Sequence, residues 1–140
     1  MIMRRLTTVI SLVVLFAVTA LAQNIEKQNA PYTSPTSGRA MYKAYCASCH
    51  GLDADGEGPA AYTMFRKPTD LRKLAADHNG VFPMDHVAAV IRGDVNAPSH
   101  GSKDMPVWGP VFLRMDQEHQ GEVALRIKNL TEYIESLQIK

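Results

Sequence analysis

The chain has 140 residues, 46% of them hydrophobic and 21% charged, with 15 Lys and Arg against 14 Asp and Glu. That is the length of one domain, and the near-neutral balance supplies no basic stripe for nucleic acid or for an anionic membrane surface. Both of its cysteines, Cys46 and Cys49, fall in one short motif, which leaves none for a structural disulfide elsewhere.

In chain order, Met1 to Arg5 is basic and Leu6 to Ala22 is apolar and uncharged, closing in Ala20-Leu21-Ala22. A basic start, an apolar run and a small-x-small end are the parts of a secretory signal peptide, so residues 1–22 are expected to be removed before Gln23. The alternative is an uncleaved membrane anchor, because the uncharged stretch continues to Ile25 and is long enough to span a bilayer. No cysteine stands at the cleavage point, which argues against a lipid anchor. Cleavage takes away Arg4 and Arg5 and leaves 13 basic side chains against 14 acidic ones. Residues 23–36 are polar and carry Pro31 and Pro35; they read as a flexible lead-in to a domain over residues 37–140.

Ser37 to Ala47 reads as a helix with Ala40, Met41, Ala44 and Tyr45 as its apolar positions. It runs into Cys46-Ala47-Ser48-Cys49-His50, a C-x-x-C-H pentapeptide of the kind that attaches haem covalently. The spacing carries the chemistry. Cysteines three apart share one face of a helical turn, so both sulfurs can reach the two vinyl groups on one side of a porphyrin. The next residue, His50, then offers an imidazole nitrogen to the iron as proximal ligand. Two other readings compete. A thioredoxin-type redox pair needs a βαβ setting that this chain lacks, and a structural zinc site needs a second pair of ligands at matched spacing.

Gly51 to Thr69 is rich in Gly, Asp and Pro and reads as a long ordered loop of the sort that serves a site. Thr69 or Asp70 can cap a short helix reaching Ala76 and stopping near Asn79-Gly80. Pro83 opens another, with Val87, Ala88, Val90 and Ile91 apolar and Gly93 as its stop. Asp94 to Pro110 is again loop, with Pro98, Gly101, Pro106, Gly109 and Pro110. The last helix is the clearest: Val123, Ile127, Leu130, Ile134 and Leu137 form one apolar stripe. No stretch alternates with period two for long enough to be a strand. The expected class is all-α.

A six-coordinate haem needs a second axial ligand, and the mature chain offers five methionines and four further histidines. Met41 lies on the helix that leads into the motif and cannot easily reach the opposite face. Met84 and Met115 fall at helix ends or interiors, where apolar filling is their ordinary use. Met105 follows His50 by 55 residues and is kept out of helix by Pro106, so its thioether can fold back over the iron. His100 is the next candidate, then Met64 and Met84.

Taken together, Cys46-Ala-Ser-Cys49-His50-Gly51, Gly58-Pro59 and Met105-Pro106-x-Trp108-Gly109 resemble a mono-haem class I cytochrome c, over residues 38–137. The resemblance implies three to five helices wrapped around one covalent haem c, with crossed N- and C-terminal helices. Gly38 and Tyr42 on the first and Tyr133 on the last match the crossing, with Tyr at 42 where Phe is common. It implies that Pro59 offers its carbonyl to the second ring nitrogen of His50, fixing the ring and raising its basicity. Phe82-Pro83, Ile91-Arg92-Gly93 and His100-Gly101 are similar to small bacterial members. By the same resemblance the chain is an exported, periplasmic electron carrier rather than an enzyme, a monomer or a subunit of a redox complex. Its partners would be a dehydrogenase, an oxidase or another cytochrome, with a membrane involved only if residues 1–22 are retained. The rival is a haem enzyme or gas-binding protein with an open sixth position.

Weaker signals remain. Asp53-Ala-Asp55-Gly-Glu57-Gly58 begins like a calcium loop, but Met64 stands where a bidentate Glu is required. Trp108 can donate its indole N–H to a haem propionate or simply pack beside the ligand loop. Arg92 is more simply a solvated helix end. Arg66, Lys67, Arg72 and Lys73 form a basic cluster able to steer an acidic redox partner.

Overall fold

The computed structural model describes residues 30–95, 105, 107–115 and 120–139, and among them there are helices and no strands. Helix α1 (Gly38–Tyr45) starts at Ser37, whose Oγ accepts from the Ala40 amide at 3.2 Å, and it buries Met41, Tyr42 and Tyr45. A one-turn helix α2 (Ala47–His50) follows, and Gly51 ends it at φ 82°. Three 3-10 turns (Ala61–Thr63, Leu71–Lys73 and Ala76–His78) carry the chain to α3 (Met84–Arg92), which Gly93 stops at φ 91°. Helices α4 (Trp108–Met115) and α5 (Gln120–Ser136) complete the fold. None of the helices among the described residues is long and apolar enough to cross a membrane. Residues 1–29, including the expected signal segment, lie outside the described residues.

The expected stripe on α5 organises the molecule. Ile127, Leu130 and Ile134 are buried, Val123 and Leu137 are partly buried, and α5 packs against α1, α3 and α4. The crossing with α1 is close because Gly38 has no side chain: a Cβ there would stand 2.1 Å from the Asn129 carbonyl oxygen and 2.7 Å from Tyr133 Cβ. Beside it the rings of Tyr42 and Tyr133 lie 5.4 Å apart. Past the end of α5, Gln138 donates to the Leu71 carbonyl at 2.7 Å and accepts from the Ala75 amide at 2.8 Å, tying α5 to the 3-10 turns.

Four expectations are corrected. The helix expected over residues 37–47 ends at Tyr45, where Cys46 at φ −112° separates α1 from α2. The short helix expected after Asp70 is instead two separate 3-10 turns. The expected loop of residues 94–110 gives way to α4 from Trp108. Pro110 sits in its first turn, where a missing N–H costs nothing. The lead-in is not loose over residues 30–36. Tyr45 Oη donates to the Pro31 carbonyl, Arg126 Nη1 to that of Thr33 and Asn129 Nδ2 to that of Pro35, at 2.7, 2.7 and 2.9 Å.

Candidate haem site

The C-x-x-C-H motif begins where α1 stops. The Cys46 amide donates to the Tyr42 carbonyl at 2.9 Å, and the Cys46 carbonyl accepts from the amides of Cys49 and His50 at 3.1 and 2.9 Å. This single closed turn holds the three reactive side chains. Both thiols are unbridged. Burial, with the Cys49 sulfur beside it, pushes the Cys46 thiol up to about 12. A redox dithiol needs an attacking sulfur whose pKa is lowered, which Cys46 is not.

His50 Nδ1 lies 3.0 Å from the carbonyl oxygen of Thr69. A carbonyl only accepts, so Nδ1 is the donor, as it is in a metal-ligating histidine whose other ring nitrogen faces the metal. The carbonyl that faces His50 Nδ1 in this structure is that of Thr69 rather than that of Pro59. Gly58 packs against the backbone of Ser48 and Cys49 so closely that a Cβ would approach within 2.5–2.6 Å. The Gly58 amide bonds to Cys49 O and the Ala60 amide to Ser48 O, which pins Pro59 beside α2 with its ring exposed. The chain must run on through the Ala61–Thr63 turn before Thr69 comes under His50. Sequence marks Thr69 only as the residue between Pro68 and the capping Asp70, and reasoning from the motif missed it.

The loop between these points is rigid by construction. Its Gly56 amide donates to the His50 carbonyl at 2.8 Å, and a Cβ on Gly56, at φ 81°, would lie 2.4 Å from Pro68 O. Ala54 is fully buried at φ 61°, and its carbonyl accepts from the Leu71 amide at 2.8 Å. Asp70 caps the next turn, accepting from the Arg72 amide at 3.1 Å and from its guanidinium at two points, both 2.9 Å.

Cys46, Cys49 and His50 open onto a cleft that is partly open to solvent. Leu71, Leu74, Val87, Val90, Ile91 and Ile134 give it apolar walls, and Met105 and Trp108 line it as well. Trp108 is buried, its ring 4.9 Å from Tyr45 and 5.7 Å from Phe112. Two thiols, one imidazole and a thioether around an apolar cleft are a donor set that fits a haem. Among the described residues no three His, Cys, Asp or Glu side chains cluster as a metal cage.

Of the other candidate ligands, Met64 lines the cleft, Met84 is not part of its wall, and His100 and Pro106 lie outside the described residues. Met41 is buried in the core, and Met115 sulfur accepts from the Tyr45 hydroxyl at 3.8 Å. His78 and His86 also line the cleft, which the sequence reading passed over. For His86 the signal was available: it precedes Val87 on the helix whose apolar face forms that wall. Arg92 pairs with Asp94 at 2.9 Å on the surface, as a solvated helix end. Two carboxylates sit within the basic cluster: Lys67 pairs with Glu57, and Arg72 and Lys73 share Asp70.

Comparison with known proteins agrees with this geometry. Over 90 residues, 64% of the chain, it is 30% identical to the fructose dehydrogenase cytochrome subunit of Gluconobacter japonicus, and the match spans only 17% of that larger protein. No solved structure matches the chain. Residues 33–121 match the family described as cytochrome c oxidase, cbb3-type, subunit III. The match covers most of the described domain, and on that ground the chain belongs to this family of c-type cytochromes, electron-transfer proteins with covalently bound haem c.

Proposed function

We propose that the protein carries one electron at a time between redox partners on the far side of the cytoplasmic membrane. In this reading residues 1–22 direct export, Cys46 and Cys49 hold the haem by thioether bonds, His50 is the proximal ligand and Met105 the distal one. Bound there, the iron supplies a one-electron ferrous–ferric couple, and methionine ligation favours the ferrous side. The protein's own residues do the rest. Thr69 holds the His50 ring through Nδ1 and raises the basicity of Nε2. The apolar wall of Leu74, Val87 and Ile91 keeps water from the slot. Trp108, fixed against Tyr45, is the residue that would donate its indole N–H to a haem propionate.

The observation that carries the reading is the arrival of His50 and Met105 in one apolar cleft, with His50 Nδ1 already held by the Thr69 carbonyl. Because the relative is named as a subunit of a dehydrogenase, a dehydrogenase is the first partner to try, with an oxidase or another cytochrome after it. We read the protein as a carrier without a reaction of its own.

Two measurements test this. Denaturing electrophoresis with a peroxidase stain should show haem on the parent, weaker stain on Cys49→Ala and none on the double alanine variant. The ferric parent should show the weak far-red band expected of methionine–iron ligation. Stain that survives loss of both cysteines overturns the attachment assignment. A ferric protein without the band, able to bind carbon monoxide when reduced, overturns the closed carrier in favour of a haem enzyme or gas-binding protein.

A further inference from the structure

We infer that the Tyr42 hydroxyl is a positioning group for the His50 imidazole, acting through the loop that separates His50 from Thr69. The inference rests on His50 being the proximal ligand. Tyr42 is fully buried at the α1–α5 crossing, and its ring contact with Tyr133 is one that a phenylalanine would make equally well. The hydroxyl is the part that needs explaining, because a buried O–H must find an acceptor. It donates at 2.7 Å to the carbonyl of Gly51, the residue directly after His50.

From that carbonyl a continuous path leads back to the imidazole. Gly51 O accepts a second, longer bond from the Ala54 amide at 3.3 Å, closing a turn in which Ala54 is held at φ 61°. A non-glycine residue keeps that conformation only where its surroundings fix it. The Ala54 carbonyl, aimed by this turn, accepts from the Leu71 amide at 2.8 Å. Leu71 is two residues past Thr69, whose carbonyl holds His50 Nδ1 at 3.0 Å. Tyr42 thus couples the crossing of the terminal helices to the orientation of the ligand ring, and the shorter of the two bonds that fix Gly51 O is its own.

The test uses haem-loaded ferrous protein and proton exchange followed by NMR. In Tyr42→Phe, exchange of the His50 Nδ1 proton and of the Leu71 amide should quicken at least tenfold. The amides of Leu130 and Ile134, in the core of α5, should change by less than threefold. Tyr133→Phe alters the same ring pair without touching the path and should leave His50 and Leu71 as in the parent. Unchanged exchange at His50 and Leu71 in Tyr42→Phe, or acceleration in step with Leu130 and Ile134, would overturn the inference. Both outcomes leave the ligand assignment standing when the His50 ring protons show the shifts of a porphyrin ring current. Their absence in the parent overturns the assignment itself, and the inference with it.

Discussion

Arg126, on α5, donates at 2.7 Å to the carbonyl of Thr33, 93 residues earlier in the chain. The guanidinium is fully buried, lies 5.0 Å above the Tyr32 ring, and leaves Nε and Nη2 without hydrogen-bond partners among the described residues. A buried cation whose one close hydrogen bond comes from a single segment depends on that segment. A chain beginning at Ser34 loses this bond, and it also loses the Tyr45 bonds to Pro31 and Thr33. We expect it to be less stable by at least about 1.5–3 kcal/mol, the worth of a hydrogen bond to a charged group. Arg126→Met keeps the bulk and removes the charge, and should cost less than about 1.5 kcal/mol. Combined, the two changes should cost less than their sum. Urea midpoints measure all four proteins, and strict additivity would show that the segment and Arg126 do not depend on each other.

The crossing gives a pair of opposite signs. Gly38→Val puts a branched side chain against the Asn129 backbone, which cannot move aside without parting the helices. The cost should reach or pass the top of the roughly 1–3 kcal/mol range for overpacking. Gly121, near the start of α5, has open space around it, so Gly121→Ala should raise stability by up to about 1 kcal/mol through helix propensity. A Gly38→Val midpoint equal to the parent's would refute the close approach.

The terminal crossing and the haem motif were legible because each is a local pattern: a stripe of period 3.6 on α5, a glycine opposite it, two cysteines and a histidine in five residues. Pro59 was misread because a resemblance carries residue type and order, whereas the bond to His50 is a matter of which carbonyl the loop delivers. The path of the loop from Gly58, packed on α2, round to Thr69 decides that, and the motif does not specify it. Thr69 and Arg126 were illegible for a related reason. Their roles depend on partners 19 and 93 residues away, fixed only when the whole chain closes. The start of α4 at Trp108 was hidden by a cluster of Gly and Pro that reads as loop, although a proline in a first turn is compatible with helix.

Acid should expose the role of Asp70. Its hydrogen bonds from the Arg72 guanidinium, and then the Arg72 amide and Lys73, hold its carboxyl down at about 2 against an ordinary 3.8. A folded-state value below the unfolded one means that the stabilisation is complete above the ordinary value and is lost as pH falls from there toward 2. Unfolding midpoints taken across that window should decline in the parent and decline less in Asp70→Asn, whose amide oxygen can still cap the Arg72 amide. Parallel curves would show that Asp70 contributes no proton-linked stability.

The sharpest test of the site lies between two methionines. Met64 and Met105 both line the cleft, while Met84 does not. Met64 belongs to the segment that follows the Ala61–Thr63 turn, between the motif and Thr69. Met105 comes after α3 and only three residues before Trp108, whose ring is fixed against Tyr45 and Phe112. That anchorage favours Met105, because a thioether must be held in place to stay on iron. Met105→Ala should therefore lose the far-red band, lower the reduction potential and admit carbon monoxide to the ferrous protein. Met64→Ala and Met84→Ala should do none of these, and all three should keep the parent's helical circular dichroism, which separates ligand loss from unfolding. If Met64→Ala instead opens the iron while Met105→Ala leaves spectrum and potential intact, the distal ligand is Met64. The carrier would survive that exchange, since it needs a closed sixth position rather than one particular residue to close it.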